Sequence, residues 1–249
     1  MKTKTIFAAL LLGVSLVACG QSTTNKDGFT ASKGQVDSVS YLLGINFGSF
    51  IKGYDFGDVN YAEILRGMKD FVNATGLETD PAFVEQFRVN PNDMNDIFTD
   101  YIQLRREYKL AANKEAGEKF LEANKAKNGV NVTESGLQYK IIATGNDNKA
   151  GAEDAVLVNY KGTLIDGTVF DQTDEGEPIE LSLNRVIPGW TEGLQLVGEG
   201  GKVELYIPSE LAYGEQGAGS VIEPNSVLVF EVEIVEVHHA EAEEEAVEE

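Results

Sequence analysis

The sequence is poor in the residues that most enzymes use for chemistry. One cysteine, Cys19, and two adjacent histidines, His238 and His239, serve 249 residues. An intrachain disulfide is therefore excluded, and a zinc site of His and Cys ligands lacks its donors. Schemes that need a buried His or a Cys–His pair have almost nothing to work with. Positive charge is scarce too: 20 Lys and Arg stand against 41 Asp and Glu, for a formal charge of −21. That field repels phosphate backbones, so nucleic acid is not an expected partner. No metal and no organic cofactor is expected either. What is present is an ordinary core-forming composition, 42% hydrophobic and 24% charged.

The first residues read as a targeting segment. Lys2 and Lys4 precede an apolar run from Ile6 to Ala18, too short for a stable membrane span and patterned as a signal peptide over residues 1–18. The run ends Leu16-Val17-Ala18-Cys19-Gly20, which resembles the lipobox of bacterial lipoproteins. That resemblance implies cleavage before Cys19, acylation of its thiol, and a lipid-anchored protein of the bacterial cell envelope, on the periplasmic face or the cell surface. Residues 19–34 are rich in Ser, Thr, Gly and Lys and are expected to form a flexible tether.

Residues 35–128 carry apolar side chains at helical spacing. Val39, Leu43, Phe47 and Phe50 lie on one stripe. Asn60, with Glu63 three residues on, caps a second helix whose apolar face is Ile64, Leu65, Met68, Phe71 and Val72. Gly76 is a plausible stop, and Asp80-Pro81 starts a third helix with proline in the first turn. The longest run, Met94, Ile97, Phe98, Tyr101, Leu104, Tyr108 and Ala111, extends towards Lys127, roughly 50 Å if helical throughout. Three short neighbours cannot cover so long a stripe. Self-association is the expected remedy, and a packed monomeric bundle is the alternative.

After Asn128-Gly129 the pattern becomes β. Leu137–Ile142, Val156–Leu164, Ile179–Leu183, Val203–Ile207 and Val227–Val237 are strand-like, and Asp166-Gly167 reads as a two-residue hairpin turn. Gly189–Val197 alone has a helical pattern. Residues 129–239 are thus an antiparallel sheet with one short helix, and the whole chain is α+β. This half holds 5 basic against 19 acidic residues. The Glu-rich residues 240–249 read as a solvated, disordered tail, and His238-His239 beside it read as solvated too.

Four stretches of the β half carry a resemblance. They are Val158-Asn159-Tyr160-Lys161-Gly162-Thr163-Leu164 with Gly167-Thr168-Val169-Phe170-Asp171, then Val186-Ile187-Pro188-Gly189-Trp190-Thr191-Glu192-Gly193-Leu194, then Ile207-Pro208-Ser209-Glu210-Leu211-Ala212-Tyr213-Gly214, and Leu228-Val229-Phe230-Glu231-Val232-Glu233. In this order they closely resemble the FKBP-type peptidyl-prolyl cis–trans isomerases. The resemblance implies a shallow apolar pocket with Trp190 as its floor. Tyr160, Phe170, Val186, Ile187, Tyr213, Ile222 and Phe230 would line it, and Asp171 and the Tyr213 hydroxyl would stand at the rim. The Ile187 backbone N–H would donate to a bound carbonyl. Ile179 and Leu181 occupy positions that are commonly aromatic in the family, and Ala218 stands where some members carry His. The basic residue that often pairs with the rim aspartate is missing from Gln172–Glu177, so Asp171 is expected to be less well held.

The absences noted above do not bar this activity. Rotation about X–Pro is opposed by amide resonance, a barrier of roughly 18–20 kcal/mol. The planar amide is more dipolar than the twisted one, so an apolar cleft favours the twisted form relative to water, with no nucleophile or metal. Ser40-Tyr41-Leu42-Leu43-Gly44-Ile45-Asn46-Phe47-Gly48, Glu118-Lys119-Phe120-Leu121-Glu122-Ala123-Asn124-Lys125 and Ser135-Gly136-Leu137-Gln138-Tyr139-Lys140 are similar to the amino-terminal region of the macrophage-infectivity-potentiator branch. That likeness implies a homodimer formed by the N-terminal helices, and clients that are proline-containing, unfolded or nascent exported proteins. The rival reading is a client-holding chaperone or binding module with weak or lost isomerase activity. Two other patterns fail: Asp171–Gly176 begins like a calcium loop but has Ser182 at its twelfth position, and Gly198-Glu199-Gly200-Gly201 lacks the Lys of a phosphate loop.

Overall fold

The computed structural model describes residues 22–24 and 29–240. The expected signal peptide, Cys19 and the Glu-rich residues 241–249 lie outside the described residues. The chain forms two compact units that divide between Pro91 and Asn92.

The first unit is helical. Strands β1 (Ser22–Thr24) and β2 (Thr30–Ser32) pair antiparallel, Thr24 opposite Thr30. They replace part of the expected tether, because the Thr-rich, β-branched run suits a strand. Helix α1 (Lys33–Gly53) starts two residues before the expected boundary, since Ser32 and Gln35 form a reciprocal capping box. Asn60 caps α2 (Tyr61–Asn73) through the Ala62 and Glu63 amides, as its spacing implies. Asp80-Pro81 opens only a single turn, α3 (Pro81–Val84). Phe71, Phe83 and Phe87 cluster with ring centroids 5.3–5.9 Å apart. Neither α1 nor α2 contains a buried residue. On α1 the exposed apolar side chains include Tyr41, Leu42 and Ile45 besides the expected stripe.

The second unit contains α4 (Met94–Asn124) and a seven-stranded sheet. Its strands are β3 (Asn131–Val132), β4 (Gln138–Ala143), β5 (Ala155–Leu164), β6 (Val169–Gln172), β7 (Ile179–Ser182), β8 (Lys202–Ile207) and β9 (Leu228–His238). The order is β3-β4-β8-β9-β5-β6, with β7 sharing the edge of β5 with β6, and every pairing is antiparallel. Alternation places Val203, Leu205 and Ile207 of β8 and Leu228, Phe230, Val232 and Ile234 of β9 in the core. The short helix α5 (Pro188–Leu194) covers this face. It lies close because Gly189 and Gly193 meet Ile207 and Leu205: an added Cβ would fall 2.4 and 2.5 Å from their side chains.

The structure regroups the long helix. It was expected with the helical segment ending at residue 128, but its C-terminal half packs on the β unit. Asn124, fully buried, donates to the Gln138 side chain at 3.0 Å, and Gln138 donates to the Leu121 carbonyl at 2.8 Å. Phe120 approaches Tyr206 at 6.2 Å. The C-terminal half thus packs within its own unit through other positions, while Met94, Ile97, Tyr101, Leu104 and Tyr108 of the expected stripe stay exposed.

Two local expectations are also corrected. The β5–β6 connection is a three-residue loop, with Leu164 donating to the Thr168 carbonyl and Gly167 at φ +87°. This is a turn followed by a left-handed glycine, the usual three-residue solution. His238 and His239 are not part of a free tail. His238 bonds Glu180 and lies 3.3 Å from Glu236. The two ring nitrogens of His239 lie 2.7 Å from Asp154 and 2.7 Å from Asn148. Strand β9 extends to His238 and carries the pair onto these acceptors.

Candidate active site

Strand β5 supplies Tyr160, β6 supplies Phe170 and Asp171, β7 supplies Leu181, and β9 supplies Phe230. Ile187 caps α5 and Trp190 sits in its first turn. With Val186, Tyr213 and Arg185 these residues line a cleft of about 380 Å³. Trp190, 4% exposed, and Phe230, 5% exposed, form its base. The Trp190 ring meets Tyr160 edge-on at 5.1 Å and 86°, and Phe230 at 5.0 Å and 84°. Phe170 stands edge-on to Phe230 at 5.4 Å and 85°. Edge-to-face packing of this kind holds each ring by its neighbours.

A missing side chain makes this packing possible. Gly162 pairs with Asp171 on one side and Phe230 on the other. A Cβ there would lie 2.6 Å from the Phe170 ring and 2.8 Å from the Phe230 ring.

The polar groups are few and placed at the edge. The Tyr160 hydroxyl donates to Asp171 Oδ2 at 2.5 Å. Partial burial, and then the Asp171 carboxylate, push the Tyr160 hydroxyl far above its ordinary range, so it remains a donor. Asp171 is therefore held by Tyr160 despite the missing basic partner. Thr173 fastens the same point of the sheet, its hydroxyl accepting from the Tyr160 amide at 3.1 Å. The Ile187 amide meets no acceptor among the described residues, so it is available to a ligand. The buried Trp190 indole N–H has no partner among the described residues. Among the described residues no group of three or more His, Cys, Asp or Glu could hold a metal ion.

Nine of the eleven pocket positions expected from the sequence line this cleft, and two do not. Ile222 is 9% exposed and belongs to the core beneath the loop that follows Tyr213. Ile179 is exposed at the start of β7, opposite Val158, and only Leu181, two residues on, lines the cleft. Arg185 was missed. It lies just before Val186 in a single turn after β7, beyond the Gln172–Glu177 stretch that lacks a basic residue. A second cavity of about 390 Å³ lies between α4 and the β5–β6 loop, but its walls include Asn113, Asp166, Ser220 and Glu223 and no aromatic ring.

Comparison with known proteins accords with this geometry. Residues 146–235 match the family model described as FKBP-type peptidyl-prolyl cis-trans isomerase. Residues 36–141 match the domain amino-terminal to it. A curated relative from Legionella longbeachae, named Outer membrane protein MIP, is 36% identical over 96% of this chain and 100% of its own. The chain belongs to the FKBP-type peptidyl-prolyl cis-trans isomerase family. The FKBP-type isomerase FkpA of Escherichia coli K12 is 33% identical over 95% of this chain and 88% of its own. The crystal structure of FkpA from Escherichia coli superposes with a TM-score of 0.68, covering 86% of this chain and 97% of that one at 33% identity. The family's amino-terminal domain extends through α4 to residue 141, beyond the division between the compact units. Among the described residues no helix is long and apolar enough to cross a membrane.

Proposed function

We propose that this chain catalyses cis–trans isomerisation of X–Pro bonds in exported proteins, using the cleft above Trp190. The observation that carries the reading is the edge-to-face cage of Tyr160, Phe170, Trp190 and Phe230 beside an Ile187 amide with no acceptor. A prolyl ring suits the apolar base. The Ile187 N–H then donates to a substrate carbonyl, which fixes one side of the amide while the other turns. Rotation converts a planar, dipolar amide into a less polar twisted one, and apolar surroundings penalise the first more than the second. Asp171, held by Tyr160 at the rim, presents a carboxylate near the rotating carbonyl and disfavours its planar position. No proton needs to move.

The second part of the proposal is a lipid-anchored homodimer. The exposed Val39, Leu42, Leu43, Phe47 and Phe50 of α1 leave an apolar surface that a second copy would cover, and the match to the family's amino-terminal domain supports that assignment. Two clefts in one dimer would favour a chain holding several prolines, which is how chaperone activity enters. Sedimentation of the soluble form from Gly20 should give a dimer, and Leu42→Glu with Phe47→Glu should give a monomer that retains turnover. A wild-type monomer would refute the dimer. Cys19→Ala should release the protein from membranes; retention there would refute the lipid anchor. Turnover of a proline tetrapeptide by the soluble form tests the isomerase directly, and binding of unfolded protein without turnover would favour a holding chaperone.

A further inference from the structure

The loop from Tyr213 to Val227 carries Tyr213 at the rim of the cleft and Ile222 in the core below it. It is closed upon itself: Ala218 and Ile222 exchange backbone bonds at 2.8 and 3.1 Å, and the Asn225 amide donates to the Gly214 carbonyl at 2.8 Å. Its outer side is fastened to α4. Arg106 donates to the Glu215 carbonyl at 2.9 Å. Lys109 pairs with Glu223 at 2.7 Å, and Asn113 donates to Glu223 at 3.2 Å and to the Pro224 carbonyl at 2.9 Å. Asn225, in the left-handed region at φ 58°, donates from its side chain to the Leu110 carbonyl at 3.1 Å. One turn further, Gly117 lies so near Val227 that a Cβ would come within 2.7 Å of it.

These attachments fall on one face of the helix, at 106, 109–110, 113 and 117, the spacing of successive turns. A single exposed ion pair would contribute little. Here side-chain and backbone bonds from three turns converge on both ends of one loop, at Glu215 and at Glu223–Asn225. Loops are the segments most prone to local opening, and this one begins at a cleft residue that is 41% exposed.

We propose that the Arg106–Asn113 face of α4 is a positioning element of the prolyl cleft, holding the 214–225 loop so that Tyr213 stands at the rim. This rests on the reading of the cleft as an isomerase site. Lys109, Asn113 and Asn225 are positioning residues that act through the loop and do not touch substrate. The helix is then part of the catalytic unit as well as a connection to the first unit.

The test uses the full soluble chain with Lys109→Ala/Asn113→Ala, and separately Asn225→Gly, which removes the side-chain bond but keeps the left-handed backbone accessible. Lys109→Arg retains the ion pair, and Lys119→Ala breaks an exposed pair with Glu115 elsewhere on α4. Tetrapeptide kcat and KM are measured beside amide hydrogen exchange over residues 214–225. The double variant should lose roughly three- to tenfold in kcat/KM and exchange faster in that segment. Asn225→Gly should follow it, while Lys109→Arg and Lys119→Ala should match the wild type in both. Faster exchange with unchanged kcat/KM in the folded variants would overturn the positioning role, and unchanged exchange would overturn the clamp itself. An inactive wild-type chain would refute the isomerase reading and the catalytic consequence with it, leaving the exchange arm to decide whether the helix holds the loop.

Discussion

Replacing Gly162 by alanine tests the packing of the cleft more sharply than deleting any ring. The added Cβ would sit 2.6 Å from Phe170 and 2.8 Å from Phe230, whereas ordinary contacts begin near 3.4 Å. One ring must therefore retreat by about 0.8 Å and the other by about 0.6 Å, or β5 must shift. Phe230 has no room to give, since it is 5% exposed and held by Trp190, Tyr160 and Phe170. Phe170 is only half-buried and will take most of the displacement. Overpacking of this kind costs about 1–3 kcal/mol, a fall in melting temperature of about 2–4 °C per kcal/mol for a domain of this size. Displacing a cleft wall by nearly 1 Å should lower tetrapeptide kcat/KM by about ten- to a hundredfold. Turnover and thermal melting of the purified variant measure both. A folded Gly162→Ala protein with wild-type turnover would refute the claim that these rings shape the catalytic cleft.

Arg185 lines the cleft and forms no ion pair among the described residues; peptides with Glu before proline should gain over those with Lys by about two- to fivefold, the scale of an exposed charge pair. Arg185→Gln should abolish that preference, and an unchanged ratio would show that its side chain does not reach the substrate. Asp154 accepts from the Gly151 and Ala240 amides at 2.7 and 2.8 Å, and these bonds, then His239, hold its carboxyl below the ordinary range. A depressed carboxyl stabilises the fold above its unfolded pKa and loses that contribution as the pH falls through the folded value. Asp154→Asn should therefore be about 1–3 kcal/mol less stable near pH 7, with the gap narrowing in urea melts towards pH 3; a gap independent of pH would contradict this. Tyr160→Phe should leave the fold intact and lower turnover by releasing Asp171, and undiminished turnover would show that the tether is dispensable.

Much of this was legible in the sequence because it depends on local pattern. Alternation in Val203–Ile207 and Leu228–Val237 gives the central strands, and Asn60 and Asp80-Pro81 mark helix starts through their own side chains. The cleft was legible because Tyr160, Phe170, Trp190 and Phe230 recur in family order. What escaped depends on distant contacts. The partner of Asp171 is not a nearby basic residue but a tyrosine on the neighbouring strand. Ile222 has the composition of a lining residue, but the closed loop turns it into the core. His238 and His239 read as a polar end in sequence, yet the fold brings Glu180, Asp154 and Asn148 within reach of them. The placement of α4 could not be read from its stripe, because the side chains that hold the loop, Arg106, Lys109 and Asn113, lie off that stripe and meet partners more than a hundred residues later.

The measurement that bears most directly on the central claim is cis–trans turnover of a proline tetrapeptide by the soluble chain beside its Asp171→Leu and Trp190→Ala variants. The account predicts a rate well above the spontaneous one for the wild type and a marked fall in both folded variants. A well-folded wild-type chain that leaves the spontaneous rate unchanged, or variants that turn over as fast as the wild type, would contradict it.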